Sequence, residues 1–199
     1  MLQDLSAPRA ALFLAALAVI SGLLTNYFPY IPNTDDLPKL AGAPLLPGVY
    51  FGVVICIGVF LWEKRKLLEL LVVLTGVVIA WILAWRTALS IHDFLDRSSG
   101  GILEAKDSSK FVFNFAVSGL VAGLVGSLGT VFAVSLVSPD FREAYDWLRT
   151  IALGTVLGTL LHFGDTPNGT FIPLFVGWQA AVAASVAYGL VIPRPKRKS

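Results

Sequence analysis

The sequence predicts an all-α fold, a bundle of six membrane-spanning helices forming one domain over residues 1–199, and three observations predict it. The chain is 56% hydrophobic and 14% charged, with mean hydropathy +0.76, where a soluble domain carries about 25% charged residues. Apolar runs long enough to cross a bilayer recur along it. The clearest, Leu67–Ser90, starts directly after the densest internal basic cluster, Glu63-Lys64-Arg65-Lys66. At about 1.5 Å per residue it reaches about 36 Å, more than a hydrocarbon core of about 30 Å. Finally, lysine and arginine divide unevenly between alternate connections, as they do in membrane proteins with a fixed orientation.

The first span is Ala10–Phe28. Its apolar stretch is longer than the about 7–15 residues of a signal-peptide core and no A-x-A site sits before the polar loop, so an uncleaved span with its N-terminus inside is expected. The segment Pro29–Pro44, rich in proline, reads as an outer loop. Leu45–Trp62 is the second span, with Pro47 near its first turn, where a missing N–H costs nothing. The basic cluster alone separates it from the third span, Leu67–Ser90, so the two should form a tight antiparallel hairpin. Glu69 can pair with that cluster. Ile91–Arg97 carries apolar Ile91, Phe94 and Leu95 among polar His92, Asp93, Asp96 and Arg97, the pattern of a short helix in the interface. Ser98–Lys110 is a polar loop.

Phe111–Val137 is the fourth span. Gly119, Gly123, Gly126 and Thr130 recur at three- and four-residue steps and share one helix face. In lipid, such residues let backbones approach closely, so this face should pack on another helix. Ser138–Arg149 is an inner connector with a capping pair, Asp140 and Glu143. Phe141, Ala144, Tyr145 and Leu148 take one side of it, and Arg142, Glu143, Asp146 and Arg149 the other, as in an interfacial helix. It leads into the fifth and shortest span, about 147–163, which carries Gly154, Gly158 and His162 on one face. Gly164–Thr170 is an outer turn containing the glycosylation pattern Asn168-Gly169-Thr170. Phe171–Ile192 is the alanine-rich sixth span, and Pro193–Ser199 is a basic tail.

With the N-terminus inside, the inner segments hold Arg9, Lys64, Arg65, Lys66, Arg142, Arg149, Arg194, Lys196, Arg197 and Lys198. Lys39, Arg97, Lys106, Lys110 and Arg86 fall at the outer side. This imbalance expects both termini in the cytoplasm and a multi-pass protein of a plasma membrane, of the bacterial inner-membrane kind. The small net charge of +2, scattered over short loops, gives no nucleic-acid surface. Cys56 is the one cysteine, so neither an internal disulfide nor a cysteine metal cage can form.

Few residues could carry chemistry. Arg86 falls near the outer edge of the hydrocarbon with Ser90 and Asp93 on the same face, where a guanidinium can reach a carboxylate or a phosphate. His92 and His162 end spans three and five at equivalent depth, with Asp93 and Asp165 beside them. That set could bind zinc or relay protons at the outer face, although no H-E-x-x-H pairing exists. Asn114, Ser118, Thr155, Thr159 and Gln179 would line a polar path if they faced one another. No span contains a lysine for a Schiff base, and no phosphate-binding glycine loop is present.

The stretch Ser118-Gly119-Leu120-Val121-Ala122-Gly123-Leu124-Val125-Gly126 resembles the S-G-x-x-x-G-L-x-G segment of rhomboid intramembrane proteases. The family's glycine two residues before the serine is Ala116 here, and its sixth-span base histidine is missing, with Trp178 and Gln179 in that span. A serine without a base is not an activated nucleophile, so the resemblance implies at most a catalytically inactive relative.

The function expected from these features is non-catalytic: a packing or partner subunit of a membrane assembly, or an effector embedded in the bilayer. A small oligomeric channel or transporter is the alternative, and an outer-face metal- or proton-linked enzyme a third. No cofactor is expected. The expected partners are lipid and either another membrane protein or a second copy, and not nucleic acid.

Overall fold

The computed structural model describes residues 4–28, 45–98, 108–165 and 170–192. The expected outer loop 29–44, the centre of the loop 98–110, the Asn168 pattern and the basic tail lie outside them. The described residues are all-α: α1 (Ala7–Tyr27), α2 (Leu45–Glu63), α3 (Leu67–Ser98), α4 (Ser108–Val137), α5 (Ala144–Gly158) and α6 (Ile172–Val191). Two 3-10 stretches flank α5, Pro139–Arg142 before it and Thr159–Asp165 after it. Five of the helices, all but α5, are long and apolar enough to cross a membrane. Large apolar side chains such as Leu12, Leu68, Leu83 and Phe132 stand exposed around the outside. A soluble protein rarely shows so much apolar surface, and lipid is the solvent that fits it.

The α2–α3 hairpin turns on backbone chemistry. Lys64 adopts the left-handed region, with φ 51°, and its amide donates to Phe60 O at 3.2 Å, closing α2. Glu69 then reaches back to accept the Lys66 amide at 2.9 Å, the reciprocal half of a capping box that starts α3. Arg65 bridges Glu63 at 3.2 Å and Glu69 at 3.5 Å. Further along α2, the Cys56 thiol donates to Leu70 O at 3.2 Å. With neither glycine nor proline after Ser90, α3 runs unbroken through Ile91–Arg97, so that stretch forms its last turns.

Each helix packs on its neighbours in the chain, and α6 closes the ring against α1. Contacts fix the direction of every step. Gly58 meets Leu14, Gly52 meets Leu74, Gly76 meets Ala133, Gly123 meets Gly154 and Gly189 meets Asp146. Together with pairs further along each helix, these make successive helices antiparallel, so the six helices run in alternating directions. One end of the bundle gathers the basic residues 9, 64–66 and 149, and the other holds His92 and His162.

Small residues set the closest approaches, as the spacing predicts. A Cβ added to Gly119 would collide with Gly158 O, and one added to Gly158 would collide with Gly119 O. Gly123 and Gly154 repeat this contact one turn on, and Ser127 sits against Gly154. On its other sides, α4 places Gly129 against Ala80 and Gly126 near Trp178. The core beside these seams is built of Leu14, Phe51, Ile55, Val73, Val131, Val134, Val182 and Val186.

The connector corrects one expectation. The predicted capping pair does not start α5: Glu143 is its N-cap residue but makes no side-chain cap, and the Asp140 side chain lies outside the described residues. The two sides are each split between inside and outside: Phe141 is buried and Glu143 exposed. Asp146 is 4% exposed, whereas Tyr145 and Leu148 are 68% and 67% exposed. Asp146 packs inward on α6 because Gly189 leaves room for it and for the buried Phe141 ring.

Gly119→Ala places a methyl group against backbone that cannot rotate away. It should cost about 1–3 kcal/mol, read as an earlier unfolding midpoint in detergent. Gly177→Ala is the control, since the nearest atom to its new Cβ is the mobile Leu160 Cδ1 at 3.1 Å, and its midpoint should stay near that of the parent.

Candidate functional site

Inside the ring, toward the end that carries His92, α2, α3, α4 and α6 and the last turns before the α5–α6 connection enclose a cavity of about 380 Å³. That lies within the about 300–1,000 Å³ of ligand pockets. Its wall is aromatic: Phe51, Trp81, Trp85, His92, Phe115, Phe171, Phe175 and Trp178. These rings touch in series. Phe51 and Trp178 are 5.4 Å apart between centroids, Trp81 and Phe175 6.0 Å, Trp81 and Trp85 6.3 Å, and Phe171 and Phe175 5.9 Å. Such separations are those of favourable tilted pairs. Gly119, Ala122, Gly123 and Gly126 supply the α4 wall, so the glycine face that brings α5 close also leaves room for the cavity.

Most polar atoms of the lining are already bonded. Thr130 Oγ1 donates to Gly126 O at 2.8 Å and Trp178 Nε1 donates to Gly154 O at 3.0 Å. Trp85 Nε1 differs: it is buried and has no hydrogen-bond partner. At the open end, His92 stacks on Phe115 with centroids 4.2 Å apart, and its Nδ1 lies 4.0 Å from Asp93 Oδ1.

The other sequence candidates disperse. Arg86 and Asp93 are exposed on α3. His162 Nδ1 bonds Thr159 O at 2.7 Å and its ring stacks on Phe163, while the side chain of Asp165 lies outside the described residues. His92 lines the cavity and His162 does not. Among the described residues, no group of three His, Cys, Asp or Glu could hold a metal ion. Of the polar-path candidates, Asn114 is buried and its carbonyl accepts from Ser118 Oγ at 2.7 Å; Thr159 Oγ1 donates to Val156 O at 2.6 Å. Gln179 Nε2 donates to Thr25 Oγ1 on α1 at 3.1 Å, and Thr155 Oγ1 is buried without a bond. None of the five lines the cavity.

A polar cluster that the sequence reading missed sits near the opposite end, between α5 and α6. Arg149 Nη2 donates to Asp146 Oδ1 at 3.1 Å and to Ser185 O at 2.7 Å, and its Nε donates to Ser185 Oγ at 2.9 Å. Thr150 Oγ1 lies 2.7 Å from Ser185 Oγ, and the guanidinium carbon is 4.8 Å from the Tyr188 ring centroid. The available signal was Ser185, a hydroxyl within an alanine-rich span, opposite the i,i+3 pair Asp146 and Arg149.

The chain matches no family model, no curated protein and no solved structure at significance.

Asp146→Ala leaves the Arg149 charge without its carboxylate, held by Ser185 and the Tyr145 and Tyr188 rings. It should destabilise the protein by about 3 kcal/mol, measured as a shifted denaturation midpoint. The double variant Asp146→Ala/Arg149→Met removes the stranded charge and should recover most of that loss.

Proposed function

We propose that this is a multi-pass plasma-membrane protein that acts without catalysis, by holding an apolar guest inside the bilayer. The aromatic cavity carries this reading: it is apolar and lined by four separate helices, and the apolar outside of the bundle suits lipid. A soluble guest would meet few hydrogen-bonding atoms there, while a hydrocarbon guest would meet rings throughout.

Six crossings with both termini in the cytoplasm belong to the same proposal. The 15 residues of α5 and the seven of the following 3-10 stretch give about 22 Å plus about 14 Å, enough to cross. The basic end of the bundle is then the cytoplasmic one.

A second reading, a partner subunit, has one observation in its favour. An outward groove between α3 and α4 has Leu71, Ile79, Leu83 and Phe132 along its sides and Gly76 and Gly129 within it. Small residues there would admit a partner helix closely.

Ala122→Phe fills the cavity from α4. Binding of a small brominated aromatic hydrocarbon, followed by quenching of tryptophan fluorescence, should be saturable in the parent and at least tenfold weaker in the variant. Equal quenching in both rejects the apolar-guest reading. Terminal tags should be modified only from the cytoplasmic side. Cross-linking from Ile79→Cys in a Cys56→Ser chain reports a partner at the groove.

A further inference from the structure

We infer that the guest is a single long acyl chain, inserted methyl end first, with its carboxyl or ester oxygens toward the His92 mouth. This rests on the apolar-guest reading and adds the class and direction of the ligand. Three observations carry it.

The cavity is elongated. Along α3 its lining runs from Val77 to His92, and along α4 from Phe115 to Thr130. Fifteen residues of helix correspond to about 22 Å, so the space follows the bundle axis past the middle of an about 30 Å hydrocarbon core. A compact hydrocarbon would leave most of that length empty, whereas an extended chain fills it.

The cavity is also polarised. At the inner end Val77 is 1% exposed, and every polar atom already has a bond; at the mouth Leu89 is 47% exposed and His92 offers a ring nitrogen. A chain with one polar end can match this gradient in one direction only, since reversing it would bury a carboxyl among Phe51, Val77 and Trp178 without a donor.

The third observation is the unmet donor. The Trp85 indole can only donate, and its buried N–H has no partner. Between the mouth and the inner end, an acyl oxygen is an acceptor that an alkane or a simple aromatic lacks.

Fatty acids brominated near the carboxyl or near the methyl end test this, because bromine quenches tryptophan at contact. Two reporter forms of the full chain are needed. One reports from the inner end through Trp178 (Trp81→Phe). The other reports from the mouth (Phe115→Trp with Trp81→Phe and Trp178→Phe). Trp62, Trp85 and Trp147 remain as common background, so the Trp85 donor is kept in both. At saturating acid, methyl-end bromine should quench the Trp178 form at least twofold more than carboxyl-end bromine, and the order should reverse in the Phe115→Trp form. Equal or opposite orders overturn the inference. Dibromobenzene separates the two levels. If it quenches Trp178 saturably while neither acid does, the acyl assignment fails and the apolar-guest reading stands. If no probe saturates, both fall.

Discussion

The contact between Gly119 and Gly158 is the constraint on which the bundle depends. In lipid there is no hydrophobic gain from bringing two apolar helices together, so attraction comes from backbone contact and packing. Gly119 and Gly158 make that contact reciprocal, each backbone lying where the other's side chain would be. It draws α5 onto α4, and α5 in turn presents Arg149 and Thr150 to α6. Further around the ring, α6 meets α1 by the same device, since Gly22 faces the backbone of Val176. Without the close approach of α4 and α5, the ring would open at its least apolar member.

The same glycines explain why a cavity exists in a bundle so tightly seamed. A glycine face wide enough for one neighbour has no side chains to fill the space toward the ring's centre. Gly119 and Gly123 therefore serve two faces at once, touching α5 on one and lining the aromatic cavity on the other, while Gly126 lines it beside Trp178 and Ala84. Trp178 joins the two, with its indole nitrogen bonded to Gly154 O and its ring in the cavity wall.

Much of this was legible in the sequence and some was not, for physical reasons. Apolar length and flanking charge identify α1–α4 and α6, because crossing lipid requires both. The i, i+4 spacing of Gly119, Gly123, Gly154 and Gly158 marks the closest seam because it is a local property of each helix. The inward face of α5 was not legible. A helical wheel separates Asp146 and Arg149 from Tyr145 and Leu148, but that the first pair turns toward α6 depends on Ser185 and Gly189, some forty residues away in sequence. The cavity was hidden for a related reason. Its rings come one to three at a time from α2, α3, α4 and α6 and from Phe171, and no segment holds enough of them to form a pattern.

The inward orientation of Asp146 and Arg149 bears on how the protein is made. An α5 entering lipid alone would offer both charges to hydrocarbon, at about 2.5–3.5 kcal/mol each near the centre and less toward the interface. Ser185, which accepts from the guanidinium and shares a hydrogen bond with the Thr150 hydroxyl, arrives only with α6. Were α5 to cross the bilayer as proposed, its polar side would be matched only once α6 stood beside it, so the two helices would be expected to enter lipid as a pair.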